Sequence, residues 1–97
     1  MSPTNGDLGQ AIRRLRRARK LTIETLAFAA KMHPTYLSGI ERGVRNPTWT
    51  KLCGLTEALG VTVSQLTREA EDECEVALAT REARARLKSS AHSRPDR

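Results

Sequence analysis

The most informative segment of this chain is residues 34–48, which read PTYLSGIERGVRNPT. Its leading proline suits the first position of a helix, because the missing N–H needs no intrahelical partner there, and His33 falls at the cap. Gly43 is the residue type that favours a left-handed helix end. The segment therefore predicts a short helix that ends at Arg42 and is followed by a loop.

A second short helix is predicted immediately before this one. Thr22 has a side chain that caps helices, and apolar residues follow it at helical spacing. Two apolar pairs, Leu26 with Leu37 and Ala30 with Ile40, are expected to hold the two helices at a fixed angle. Two short helices separated by about four residues are typical of a helix-turn-helix unit.

Further helices are predicted on both sides of this pair. A first helix is expected from Leu8 to about Arg19, with one apolar and one basic face, and a fourth is expected to end at Gly60. A fifth helix is expected just after it. The residues predicted to cap these helices are Asp7 with Gln10, Thr48, and Thr62 with Gln65.

The C-terminal part predicts one more helix, over residues 69–88. This stretch has no glycine or proline, is acidic where it begins and basic where it ends, and so complements the helix dipole. One side of this predicted helix carries a narrow, mainly apolar stripe that consists of Val76, Thr80, Ala83 and Leu87. We expect disordered tails at residues 1–6 and 89–97, a folded domain over 7–68, and an all-α fold.

The composition limits the classes of function. The net charge is +6, and residues 7–68 are basic, as is common for proteins that meet a polyanion. No apolar run is long enough to span a membrane and the N-terminus does not resemble a secretory signal, so we expect a cytoplasmic protein. Cys53 and Cys74 form no metal-binding spacing with His33 or His92, which predicts packing thiols and no metal.

These features in this order resemble the Cro and phage-repressor type of helix-turn-helix proteins, also called the xenobiotic-response-element (XRE) family. The resemblance covers residues 8–67, and its most specific part is Ile40-Glu41-Arg42-Gly43 followed by Arg45-Asn46-Pro47. It implies a compact five-helix, lambda-repressor-like DNA-binding domain with an additional C-terminal helix. In such a domain the third helix lies in the DNA major groove and the second crosses the backbone.

The resemblance also implies roles for individual residues. Arg16 and Glu41 match a pair of residues that join helix one to helix three. Two residues depart from the family pattern: Ile23 replaces a phosphate-binding glutamine, although backbone N–H groups remain there, and Lys31 replaces a glycine in the turn. The residues implied to contact DNA are His33, Pro34, Thr35, Tyr36, Gly39, Arg42, Arg45, Asn46, Thr50, Lys51 and Ile23.

Residue by residue, other interpretations remain open. Arg45 and Asn46 also suit a surface turn, and the arginines near Arg13 also suit a solvated face. Because Gly39 has no side chain, the recognition helix offers few bidentate groups for reading bases.

The predicted function is a sequence-specific, double-stranded DNA-binding transcriptional regulator that uses residues 34–42 and needs no cofactor. An enzyme is disfavoured because no nucleophile, base and orienting group recur together, and RNA binding because only Phe28, Tyr36 and Trp49 are aromatic. Since one recognition helix covers only about four or five base pairs, a homodimer on a palindromic operator is expected.

Alternatives within the same fold are an antitoxin with a toxin partner and the controller protein of a restriction-modification system. Two surfaces are open for the dimer: the side formed by helices four and five, which many members of the family use, and the additional helix. For the additional helix, packing back on its own domain is the alternative.

Overall fold

A computed structural model describes the backbone of residues 2–93 and the side chains of residues 2–87. Within this part of the chain there are helices and no strands, which confirms the predicted all-α class. None of the described helices is long and apolar enough to cross a membrane. The five helices are α1 (Asn5–Ala18), α2 (Ile23–Ala29), α3 (Pro34–Glu41), α4 (Trp49–Leu59) and α5 (Val63–Ser93).

The helix caps follow the sequence prediction at four of the five N-termini. Thr22 and Thr48 accept backbone N–H groups of the first turns of α2 and α4, His33 caps α3, and Thr62 forms a reciprocal capping box with Gln65 at α5. Positive φ values at Gly43 and Gly60 mark the expected left-handed ends.

The predicted cap of α1 is wrong. The capping box joins Thr4 to Asp7: the Thr4 hydroxyl accepts the Asp7 N–H at 3.2 Å, and the Asp7 carboxylate accepts the Thr4 N–H at 2.8 Å. A threonine hydroxyl three residues before an aspartate satisfies both orphan donors, so the helix begins earlier than Leu8. Asn5 and Gly6, predicted as part of a tail, are therefore helical.

The predicted fifth helix and the separate helix over 69–88 form one continuous helix, α5. The capping box at its start is followed by 20 or more residues without a helix breaker, so nothing divides it. The helix also extends through residues 89–93, which were predicted as a tail. Residues 94–97 lie outside the described part.

The core lies where α1, α2, α3 and α4 meet the first third of α5. Its largest fully buried side chains are aliphatic, as the low aromatic content predicts: Ile12, Leu26, Leu37, Ile40, Leu55, Leu59 and Leu66. Ala70 and Cys74 continue the buried side of α5. Beyond Cys74 the helix leaves this core, and Val76 and Leu87 are 62% and 72% exposed.

An exposed ion-pair cluster also attaches α5 to α1. The Arg14 guanidinium binds the carboxylates of Glu69 and Glu73, the latter at 2.6 Å. Glu69 and Glu73 lie 55 and 59 residues after Arg14 in the sequence. The acidic start of the predicted additional helix thus neutralises part of the basic face of α1.

Candidate nucleic-acid interface

Helix α3 has one buried side and one outer stripe. Leu37 and Ile40 are at most 1% exposed and face the core. Thr35, Gly39 and Arg42 recur at i, i+4 and i+7 on the opposite side, and Thr35 and Arg42 are exposed. Ser38, which is half-buried, lies at the edge of this stripe, between the outer and the buried side.

At Gly39 the outer stripe is covered by Arg45. A Cβ atom at position 39 would lie 2.5 Å from Cγ of Arg45, so the arginine side chain occupies the space that a side chain there would need. The backbone fixes this contact, because the N–H groups of Val44 and Arg45 donate to the Gly39 carbonyl at 2.9 and 3.1 Å. Gly39 is consequently buried, while Arg45 is exposed and lies on the stripe in its place.

The N-terminal tip of α3 carries His33 and Thr35, both exposed. Nδ1 of His33 accepts the backbone N–H of Thr35 at 3.1 Å. Pro34 and Tyr36 are half-buried, and Tyr36 packs against the core. Of the four residues predicted at this tip, His33 and Thr35 are therefore the most accessible.

The turn between α2 and α3 contains a non-glycine residue in the left-handed region. Lys31 has φ 59°, at the turn where the sequence departs from the family's glycine. For an L-residue with a Cβ this conformation costs roughly 1 kcal/mol or more. The exposed Lys31 thus adopts the left-handed conformation that a glycine would take there, close to His33 at the tip of α3.

A buried ion pair fixes the other end of α3. Nε of Arg16 donates to Glu41 at 2.7 Å and a second guanidinium nitrogen donates to the same carboxylate at 3.1 Å. A third N–H donates to the carbonyl of Leu21, just before α2, at 2.8 Å. The hydrogen bonds from Arg16 to Glu41 raise the pKa of Arg16, against desolvation, which lowers it. This pair therefore joins α1, α3 and the α1–α2 connection.

The loop after α3 and the start of α4 supply the remaining predicted contacts. Arg42, Asn46 and Thr50 are exposed, and Lys51 is half-buried in the first turn of α4. Ile23, the first residue of α2, is half-buried and packs against the core, so its side chain is directed partly inward. The predicted phosphate contact through backbone N–H groups at the start of α2 stays a prediction.

A scan against protein-family models matches residues 7–70 to the helix-turn-helix domain. The chain belongs to this helix-turn-helix family. The matched residues include both α2 and α3, the two helices that the sequence predicts as the helix-turn-helix unit. The outer stripe lies on α3, His33 caps the start of this helix, and Arg45 lies in the loop that follows it.

Individual helix-turn-helix proteins show the same relationship. The chain is 41% identical over 54 residues to control protein C.BamHI of Bacillus amyloliquefaciens, covering 55% of this chain and 67% of that protein. It is 40% identical over 62 residues to the immunity repressor protein of Bacillus phage phi105, covering 64% of this chain and 43% of the repressor.

A solved structure extends the likeness through most of the chain. The clp gene regulator ClgR of Corynebacterium glutamicum superimposes with a TM-score of 0.79 at 31% identity, covering 93% of this chain and 95% of that one. A match of this extent has to include most of α5. The predicted Cro and phage-repressor type family is confirmed, and so is a DNA-binding regulator rather than an enzyme.

Proposed function

We propose that this protein regulates transcription as a homodimer that binds a palindromic operator, with α3 of each protomer in the DNA major groove. The observation that carries the proposal is the outer side of α3, where Thr35, Arg42 and the Arg45 side chain that covers Gly39 are exposed. Leu37 and Ile40 anchor the other side of the helix, and the Arg16–Glu41 pair fixes its end. A rigid helix that presents a small polar surface fits the major groove.

The residues around α3 divide into two groups by their chemistry. Thr35 and Arg45 lie on the outer stripe and are assigned to base edges, through the threonine methyl and the guanidinium. Arg45 can lie there because Gly39 has no side chain. Pro34 and Tyr36 are assigned to the packing of the N-terminal tip of α3. Phosphate contacts are assigned to His33, Arg42, Asn46, Thr50, Lys51 and the backbone at Ile23.

The proposed dimer uses the exposed stripe of α5. Val76 and Leu87 are 62% and 72% exposed, and Ala83 lies between them at the same helical angle. An antiparallel second copy would cover this stripe. It would also bring the exposed acidic residues Glu71, Asp72 and Glu75 of one protomer opposite the basic segment 81–88 of the other, a favourable pairing of charge.

Selection of bound duplexes from a random DNA pool tests the DNA-binding part. Two recognition helices related by a twofold axis predict an inverted repeat with half-sites about 34 Å apart, one helical turn or a multiple of it. A pool that yields no enriched sequence, or a single unrepeated half-site, would contradict the proposal.

Substitutions on α5 test the dimer surface in the full-length chain. The double substitution V76E and L87E places charge in the stripe and should shift sedimentation from dimer to monomer. The control is A85E, because Ala85 is exposed on the opposite side of the same helix. If the stripe variant and the control sediment alike, α5 does not form the dimer.

The controller role is a second candidate, favoured by the 41% identity to a control protein. It predicts that the selected operator occurs upstream of genes for a restriction enzyme and its methyltransferase. Since the proposed ligand is chromosomal DNA, we expect the protein to act in the cytoplasm.

A further inference from the structure

The basic face of α1 is neutralised only in part by the rest of the described chain. Arg14 is bound by two carboxylates of α5. Arg17 and Lys20 are exposed, Arg13 is half-buried, and none of the three forms an ion pair with a described carboxylate. We call Arg13, Arg17 and Lys20 the α1 basic row.

Arg13 carries an unsatisfied donor. Its Nε is buried and has no hydrogen-bond partner among the described residues. A buried donor of a charged group is unfavourable without an acceptor, so it marks a place where an acceptor from outside the chain would be bound favourably. Arg13 and Arg17 line an open concavity beside α5. Among its described lining residues the one carboxylate, of Glu73, is already held by Arg14, which leaves the concavity open to another anion.

The α1 basic row is continuous with the elements assigned to DNA. Arg16 lies one turn after Arg13 on α1. Its guanidinium donates to Glu41 at the end of α3 and to the carbonyl of Leu21, just before α2. Lys20 directly precedes Leu21. The hydrogen bonds of Arg16 therefore hold the α1 basic row beside both helices of the helix-turn-helix unit.

The backbone at Lys20 is an independent observation on the same surface. Lys20 follows the end of α1 and has φ 57°, in the left-handed region that disfavours a residue with a Cβ and is common for glycine. Strained residues of this kind are concentrated at sites of binding and function. Here the strained residue carries an exposed ammonium group at the connection between α1 and α2.

We propose that the α1 basic row binds backbone phosphates of duplex DNA, in addition to the phosphates assigned to the loop after α3 and the start of α4. This inference rests on the proposed function, since it needs α2 and α3 on the DNA. A guanidinium fork binds two phosphate oxygens at once, and a duplex presents phosphates in a regular row. An acidic protein surface is the other anion of this size, but the continuity of the row with α2 and α3 favours the duplex.

The substitution R17Q tests the proposal, with R14Q as its matched control. Both remove one arginine charge from the exposed side of α1, but the Arg14 guanidinium is already bound by carboxylates. We expect R17Q to bind about tenfold more weakly per half-site at about 0.1 M salt, on operator and random duplexes alike, and to reduce the salt slope by about one per protomer. R14Q should bind with the affinity and salt slope of the wild type.

The double substitution R17Q and K20Q extends the test along the row. Glutamine at position 20 removes the charge but retains a side chain at the left-handed position, so the backbone strain is unchanged. Both positions are exposed, and the melting temperature should stay close to that of the wild type. We expect the reduction of the salt slope to double, to about two per protomer.

Ethylation interference on the operator locates the contacts without relying on affinity. An ethylated phosphate loses its charge and weakens binding where the protein touches it. About one or two phosphates in each half-site should interfere with binding of the wild type and of R14Q, but not of the double variant. Identical interference patterns for all three proteins would contradict the proposal.

Three binding results would also overturn it. Equal losses in R17Q and R14Q would show that only the total charge matters, and a loss confined to operator DNA would show a base contact. A double variant that binds as tightly as the wild type would remove the α1 basic row from the DNA and leave an acidic protein as its partner. If the wild-type chain itself binds no duplex, the proposed function fails, and the inference fails with it.

Discussion

Arg16 and Glu41 form a bidentate ion pair that joins the last turn of α1 to the last residue of α3. The side chains are only 10% and 4% exposed. A helix of eight residues is not stable by itself, so the orientation of α3 depends on its contacts with the rest of the domain. This pair is the polar part of those contacts, and Leu37 and Ile40 are the apolar part.

The substitution E41A should therefore be strongly destabilising. It leaves the Arg16 guanidinium unpaired at a buried position, and we expect a loss of about 3 kcal/mol in the free energy of unfolding, measured by urea denaturation. The matched control is R14A, which breaks an exposed cluster and should cost about 1 kcal/mol or less. Equal losses in the two variants would show that burial of the Arg16–Glu41 pair is not what stabilises the fold.

A glycine sets the distance between α1 and α3. A Cβ atom at Gly9 would clash with the backbone carbonyl oxygens of Ile40 and Glu41, the second at 2.5 Å. Because backbone atoms cannot rotate away, we expect G9A to destabilise the protein by about 1–3 kcal/mol. The control is G6A, since a Cβ at Gly6 would meet only the Thr4 hydroxyl at an ordinary 3.5 Å. A G9A protein as stable as G6A would show that the two helices can separate at no cost.

Much of this architecture could be predicted because it depends on local chemistry. The caps at Thr22, His33 and Thr48 and the left-handed ends at Gly43 and Gly60 each need only a few neighbouring residues. The cap of α1 was misplaced because Asp7 can serve either as a cap or as the acidic partner of Thr4, and the sequence pattern alone does not rank the two.

The features that the sequence did not predict arise from contacts between residues that are far apart in the sequence, or from one side chain lying over another residue. The partners of Arg14 lie on α5, and no periodicity in α1 points to them. Gly39 was assigned to the DNA surface by its position on the helix, but the loop folds back and lays Arg45 over it. The family resemblance supplied the Arg16–Glu41 pair, which spacing alone would not have identified.

Replacing Lys31 by glycine should stabilise the protein. Lys31 has φ 59°, which glycine adopts without steric cost, although glycine also raises the entropy of the unfolded chain. We expect a net gain of about 0.5–1 kcal/mol in urea denaturation. K20G should shift stability in the same direction, because Lys20 has φ 57°. A loss of stability in K31G would show that the lysine side chain makes a compensating contact.

Arg45 and Gly39 should behave as one unit in DNA binding. R45A should weaken binding and reduce the salt slope by about one if the guanidinium also displaces a counterion. G39A should displace Arg45 from the stripe and weaken binding, while alanine maintains or improves helix stability. The double variant should bind no worse than R45A alone, as measured by fluorescence anisotropy. Additive losses would contradict the contact between the two residues.

Methylation interference on the selected operator tests the placement of α3 most directly. Methylation of guanine N7 marks the major groove, and methylation of adenine N3 marks the minor groove. We predict that methylation of guanine N7 within each half-site prevents binding, and that methylation of adenine N3 within the same half-sites does not. Interference restricted to adenine N3, or absent from both half-sites, would contradict a recognition helix in the major groove.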